Sequence, residues 1–418
     1  MLKYKFPEGF LWGTATASHQ IEGDNFYNDW WEFEQKGKVK NGQISGKACD
    51  SWNRYEEDFD LIEKLNNNAY RFSIEWSRVE PEEGKFDQSA IERYRAMLLS
   101  LKRRNIEPFV TLHHFTNPLW IAKKGGWLNP EIIDYYLRYV ERIVSEFKDL
   151  VNYWMTINEP NAYAFMAYLY GQFPPQKRSL MKMLRILNNM VKAHAKAYEI
   201  IHKISPNSKV SIAYNIIYFE PKNPKSFIDR KLTNFADRIY NRVFIETLTT
   251  GRFSSPFIKE EIPYAKDTFD YLGVNYYTRI LMGLRMTPPS GEKSDFGWEI
   301  YPEGIYKVVK RFYELTGKPI YITENGISDA KDEKRPKYLI SHLIQLHRAI
   351  EDGVDIKGYF HWSLMDNFEW AEGFLQRFGL FETDFNTFER KWRRSARIYS
   401  EIAKNNGITE EMEKEFLK

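Results

Sequence analysis

The stretch Lys318-Pro319-Ile320-Tyr321-Ile322-Thr323-Glu324-Asn325-Gly326 is a short apolar run that begins after a proline and stops at a carboxylate, an amide and a glycine. A run of this kind, bounded by turn signals, reads as a strand buried on both faces. An unpaired carboxylate inside such a core is too costly, so the strand presents Glu324 at the rim of a sheet. Working outward, a second stretch has the same design. The apolar run from Val151 to Ile157 is followed by Asn158, Glu159 and Pro160.

Between and around these two runs, strand-like and helical patterns alternate. Gly9 to Ala17 reads as a first strand ending near Ser18-His19-Gln20, and Glu22 to about Asp50 as a long loop without period. Tyr55, Phe59, Ile62 and Leu65 repeat at helical spacing, and Asn66 to Asn68 stops that helix. Ala69 to Ile74 is a second strand, a helix carries Tyr94, Met97, Leu98 and Leu101, and Glu107 to His114 is a third strand. Asn129-Pro130 opens a helix to about Phe147, with proline at the favoured first position. The second half continues with a helix over Leu180 to Ile204, a strand over Lys209 to Tyr214, and a helix over Lys225 to Thr249. A strand over Phe269 to Asn275, a Gly/Pro-rich loop and a helix over Tyr301 to Leu315 lead to the seventh strand, Pro319 to Thr323. A helix over Lys337 to Glu351, an eighth strand over Ile356 to Trp362 and a last helix over Trp392 to Lys404 complete the chain.

Eight strands alternating with helices, and no low-complexity linker, predict one closed (β/α)8 TIM barrel spanning residues 1–418 as a single domain. A doubly wound open sheet would want a Gly-rich phosphate turn after the first strand, and there is none. Barrel enzymes carry their chemistry at the C-terminal ends of the strands.

Composition narrows the function classes. The 418 residues carry a formal charge of only +3, which excludes a strong field for nucleic acid or membrane surfaces. One cysteine, Cys49, rules out an internal disulfide and suits a reducing compartment. Met1 to Gly9 lacks a signal-peptide core, and no run approaches the roughly 18 apolar residues of a membrane helix. The expectation is a soluble cytoplasmic protein, with a homo-oligomer left open. No cofactor or metal is expected. His113 and His114 are adjacent on a strand and point to opposite faces, His342 and His347 do not share a helix face, and no Cys cluster or His-Glu-x-x-His run exists. The basic segment Arg390 to Arg394 reads as a solvated helix start. Of the 12 Trp, 27 Tyr and 29 Phe, most belong to the core, but those at strand ends can stack on sugar rings.

The predicted strand ends carry Gln20, Arg71, His114, Asn158 with Glu159, Asn275 with Tyr277, Glu324, and Trp362, with Glu369 and Trp370 in the loop after strand eight. Each alone could be a satisfied rim residue. Together, two acids, amides, a histidine and aromatics at one end of a barrel suit glycoside hydrolysis, which needs one carboxyl to protonate a leaving oxygen and one carboxylate to attack or activate water. Arg71 and Tyr277 can hold one carboxylate ionised, whereas an acid near a negative neighbour and apolar walls keeps its proton. Gln20, Asn158, His114 and Glu369 offer the mixture of donors and acceptors that sugar hydroxyls require.

Four motifs, in order, carry a resemblance: Phe10 to Gly23 (FLWGTATASHQIEG), Thr156 to Pro160 (TINEP), Ile322 to Gly326 (ITENG) and His361 to Trp370 (HWSLMDNFEW). From about Phe6 to Arg394 the chain closely resembles glycoside hydrolase family 1, a family of retaining β-glycosidases on a single (β/α)8 barrel. The resemblance implies Glu159 as acid/base and Glu324 as nucleophile, with Arg71 and Tyr277 supporting the nucleophile. It implies Asn158 at the 2-hydroxyl, and Gln20, His114, Trp362, Glu369 and Trp370 around the non-reducing-end sugar, with Phe378 closing the loop. The substrate implied is a small β-glucoside, β-galactoside or short oligosaccharide. Where the family often has Tyr-His-Trp-Asp, this chain has His113-His114-Phe115-Thr116, so one wall of the sugar pocket is expected to be weaker. Glu369 would repel a phosphate, which argues against 6-phosphoglycosides, and Glu159 distinguishes the chain from the myrosinase branch, where that acid is Gln. An endo-acting glycanase barrel, or a non-catalytic sugar-binding barrel, are the alternatives. The first needs an open groove; the second should lack one of the two acids.

Overall fold

Eight parallel strands close into one barrel in the computed structural model, which describes residues 1–284 and 291–417. In chain order they are β1 (Leu11–Ala15), β2 (Ala69–Ser73), β3 (Glu107–Thr111), β4 (Tyr153–Asn158), β5 (Lys209–Asn215), β6 (Leu272–Asn275), β7 (Ile320–Asn325) and β8 (Ile356–Trp362). Each pairs with its successor, and β8 returns to β1 with Gly358 opposite Leu11 and Trp362 opposite Ala15. The first, third and sixth strands are shorter than the apolar runs that predicted them. The ladder ends before His113 and His114, where the chain turns over the top of the barrel.

Aromatic rings fill the N-terminal half of the barrel. Phe109 stacks on Tyr153 with centroids 4.1 Å apart and meets Phe360 at 4.7 Å, while Tyr271 meets Tyr321 at 5.0 Å. Gly13 makes room for this floor, since a Cβ there would sit 2.5 Å from the Phe360 ring. The helices outside the barrel include α1 (Ser51–Lys64), α2 (Gln88–Arg103), α3 (Ile132–Phe147), α4 (Leu180–Ile204), α5 (Phe227–Asp237), α6 (Val243–Thr250), α7 (Pro302–Thr316), α8 (Arg335–Glu351) and α9 (Arg394–Asn405). Their ends obey local chemistry. Asp87 caps α2 by accepting from the Ser89 and Ala90 amides, and α7 stops at Gly317 in the left-handed region at φ 63°.

Several expectations need correction. The segment read as a loop from Glu22 to Asp50 holds a helix, Asp29–Gln35, capped by Asn28, which accepts from the Trp31 amide at 2.8 Å. Two turns burying Trp30 and Phe33 are too short to show a period. The helix expected over Lys225 to Thr249 is divided into α5 and α6 by a π-helical stretch, Arg238–Arg242. Arg390–Trp392 is a strand paired with Phe381–Thr383, and the last expected helix starts only at Arg394. The segment is solvated only in part: Lys391 and Arg394 are exposed, but Arg390 bonds Asp58 at 3.0 Å and Arg393 bonds Asp366 at 2.7 Å, all four of these largely buried. Leu2–Lys5 pairs antiparallel with Gly407–Thr409, and a helix Glu410–Leu417 follows; neither was legible in the pattern. The Gly/Pro-rich loop ahead of Tyr301 lies partly outside the described residues. Among the described residues no helix is long and apolar enough to cross a membrane, and no cluster of three His, Cys, Asp or Glu could hold a metal ion. His113 faces Asn117 at 3.0 Å while its neighbour His114 faces Asn158.

Candidate active site

Arg71, in the middle of β2, is fully buried and organises the top of the barrel. Its guanidinium donates to Thr111 Oγ1 at 3.2 Å, to the Thr323 carbonyl at 3.2 Å, to Glu324 Oε1 at 2.5 Å and to Asn158 Oδ1 at 2.6 Å. One planar fork therefore ties the ends of β4 and β7 together. Tyr277, two residues past β6, donates its hydroxyl to the other Glu324 oxygen at 2.5 Å. Burial, then the Glu324 charge, keeps the Tyr277 phenol well above its ordinary value, so it remains a donor.

Glu159 stands in a different setting. It follows β4 with a left-handed backbone (φ 44°, ψ 57°) and precedes Pro160, which opens a short helix. Its Oε1 accepts from Asn275 at 2.8 Å and from Asn215 at 3.0 Å. Among the described residues no cationic side chain forms an ion pair with it. Burial first, and the Glu324 charge second, push its carboxyl up to about 7. Asn215 is one residue that sequence reasoning missed: it is the polar group at the end of β5, the one strand end left blank. Its side chain is held by the Tyr240 hydroxyl at 2.9 Å. Asn275 was placed at a strand end without a role; it also accepts from Thr323 at 2.6 Å.

The remaining predicted residues gather on the far side of Glu324. Asn158 donates to His114 Nε2 at 3.0 Å, and burial together with the Arg71 charge holds His114 well below its ordinary value, hence neutral. Gln20, on a helical turn Ser18–Ile21, donates to Asn367 at 3.0 Å, to the Phe368 carbonyl at 2.9 Å and to Glu369 at 3.2 Å. His114 Nδ1 and Gln20 Oε1 are buried with no protein partner. Burial, then the Glu324 charge, pushes Glu369 up to about 8. The Trp370 ring lies near-parallel to His114 at 5.9 Å and to His19 at 5.9 Å, while Trp362 faces His114 at 6.1 Å. His19 is itself fixed by Glu34 at 2.8 Å. Phe378 packs on Tyr277, and Trp298, which no sequence signal marked, completes that wall 5.5 Å from Tyr277. Phe115, the residue expected to weaken the pocket, packs edge-on against Trp370 at 5.1 Å and is backed by Phe173. Gly326 permits the close passage of β8: a Cβ there would sit 1.8 Å from the Trp362 carbonyl oxygen.

A cavity of about 670 Å³ joins these groups, lined by His114, Asn158, Glu159, Tyr277, Glu324, Trp362, Glu369, Trp370 and Phe378. Arg71 and Gln20 border it through the lining residues Glu324 and Glu369, to which they donate. The glycosyl hydrolase family 1 model matches residues 2–408. The chain belongs to this family. Family 1 relatives agree in fold and in name. A β-glycosidase from Pyrococcus horikoshii superposes with a TM-score of 0.94 at 44% identity, covering 100% of this chain and 98% of that one. A Thermotoga maritima β-glucosidase solved with glucoimidazole superposes at 0.93 with 37% identity, covering 97% and 100%. A β-galactosidase from Pyrococcus woesei is 34% identical over 99% of this chain and 100% of its own length. The protein is a glycoside hydrolase, and its relatives bear the names β-glucosidase and β-galactosidase.

Proposed function

We propose that this enzyme is a retaining exo-β-glycosidase that removes a terminal non-reducing β-glucosyl or β-galactosyl residue. The unequal environments of the two carboxyls carry the proposal. Glu324 is gripped by Arg71 and Tyr277, both donors to its charged form, and acts as nucleophile. Glu159, pushed up to about 7, is protonated in a large share of molecules near neutral pH and acts as acid. Glu324 bonds to the anomeric carbon as the glycosidic C–O bond breaks, and the leaving oxygen takes the Glu159 proton. Ionised Glu159 then takes a proton from water, whose oxygen displaces Glu324 and regenerates both groups with configuration retained. Gln20, His114, Asn158 and Glu369 hold the sugar hydroxyls, while Trp362, Trp370 and Phe378 frame the ring. The crowding of Gln20, Glu369 and Trp370 at the sugar end supports release of single terminal residues over internal cleavage. The reading includes a cytoplasmic setting, which suits a chain with one buried cysteine.

The test is hydrolysis of a chromogenic β-glucoside. Glu324→Ala should lose activity and, with azide, yield the glycosyl azide of inverted configuration. Glu159→Ala with azide should yield the retained one. Near-normal turnover by Glu324→Ala would remove the assignment. Chain-length analysis of oligosaccharide products tests the exo mode, with internal fragments counting against it.

A further inference from the structure

The cavity does not end at Glu159. Beyond the acid it runs outward between the π-helical stretch Phe165–Leu169, the segment after β5, and the face of α5 with the stretch that follows it. Its walls there are carbon: Phe165, Met166 and Leu169 on one side, Phe219 and Ile239 on the other, and Phe235, 51% exposed, at the mouth. Of the polar side chains nearby, the buried ones are committed to one another, while Tyr170 and Gln172 are exposed on the lining. Arg279 is held by Glu299 at 2.6 Å and Glu220 at 2.8 Å, Thr278 donates to the Glu299 carbonyl at 2.8 Å, and Asn215 sits between Glu159 and Tyr240. Among the described residues, the one buried lining side-chain atom without a partner is His114 Nδ1, and it lies at the sugar end. A second sugar seated among the buried walls of the outer half would bring hydroxyls against carbon and against polar groups that are already paired. An aliphatic chain would meet flexible, polarisable Met166 and Leu169, which adapt to it.

We infer that the leaving-group half of this cavity is an alkyl-binding channel, and that the substrates it selects are β-glycosides of long-chain aliphatic alcohols in preference to disaccharides. This rests on the catalytic reading above, because the channel begins at the acid that protonates the leaving oxygen. The reaction is simple hydrolysis: the glycosidic C–O bond is cleaved, water is consumed, and the sugar and the alcohol are released.

Butyl, hexyl and octyl β-glucosides, each below its micelle concentration, share nearly the same leaving-group acidity and differ only in apolar length. Each methylene seated in the channel should raise kcat/KM about three- to fourfold, on the order of a hundredfold from butyl to octyl. Octyl glucoside should exceed cellobiose. Met166→Asn, at a half-buried position facing the channel, should collapse the octyl-to-butyl ratio; because the ratio is taken within one preparation, it is insensitive to the folded fraction. A flat series, or cellobiose as the better substrate, overturns the inference while leaving the catalytic reading intact. Failure to cleave any of these glycosides sinks the catalytic reading itself.

Discussion

The two halves of one cavity are built on opposite rules. The sugar half is a lattice of buried polar groups aimed inward, with Arg71, Asn158, His114, Gln20 and Glu369 fixed by one another. The outer half presents mostly carbon, and its buried polar residues are turned upon themselves. Directional bonds reject a hydroxyl in the wrong place; an apolar wall measures length and tolerates shape. In the proposed reaction the anomeric carbon lies at the seam, where Glu324 belongs to the first regime and Glu159 borders the second.

Five experiments sharpen or break this contrast. Both halves depend on Glu324, so Glu324→Ala should lower kcat by about 10⁴-fold or more for every leaving group; a loss confined to some leaving groups would mean that the seam lies elsewhere. Gln20→Ala removes donors from the sugar half alone. It should cost about a hundredfold in kcat/KM, equal for butyl and octyl glucosides, because bonds to charged or buried partners are involved. Unequal losses would show that the halves are coupled. The third experiment is the pH profile. An acid works only while protonated, so kcat/KM should fall tenfold per unit above about pH 7. In Glu324→Gln the like charge is gone, and carboxyl NMR should find Glu159 titrating below its wild-type value. The smallest effect is Asn215→Ala. Losing a donor to the charged form raises Glu159 further, so the basic limb should move up by a fraction of a unit.

Much of this was legible in the sequence because it is local. Strands that end in Glu159 and Glu324 are visible as apolar runs stopped by acids, and once the alternation gives a barrel, their ends face one volume. What was not legible is long-range. Asn215 closes a strand whose own pattern gives no hint that Glu159 lies opposite. Arg390 and Arg393 look like a solvated basic run until Asp58 and Asp366, distant in sequence, are brought against them. Asp29–Gln35 is too short for a period, and Trp298 sits in irregular chain whose placement depends on Phe296 and Phe378. The apolar character of the outer cavity arises from residues scattered over four separate segments, each unremarkable as core.

The left-handed backbone of Glu159 has a cost that the folded chain must carry. A residue with a Cβ at φ 44° is held against its preference by about 1–3 kcal/mol, and a desolvated carboxyl adds to the load. Glycine has no such objection to that conformation. Glu159→Gly should therefore melt at a higher temperature than the working enzyme, a measurable exchange of durability for turnover located in a single pair of torsion angles.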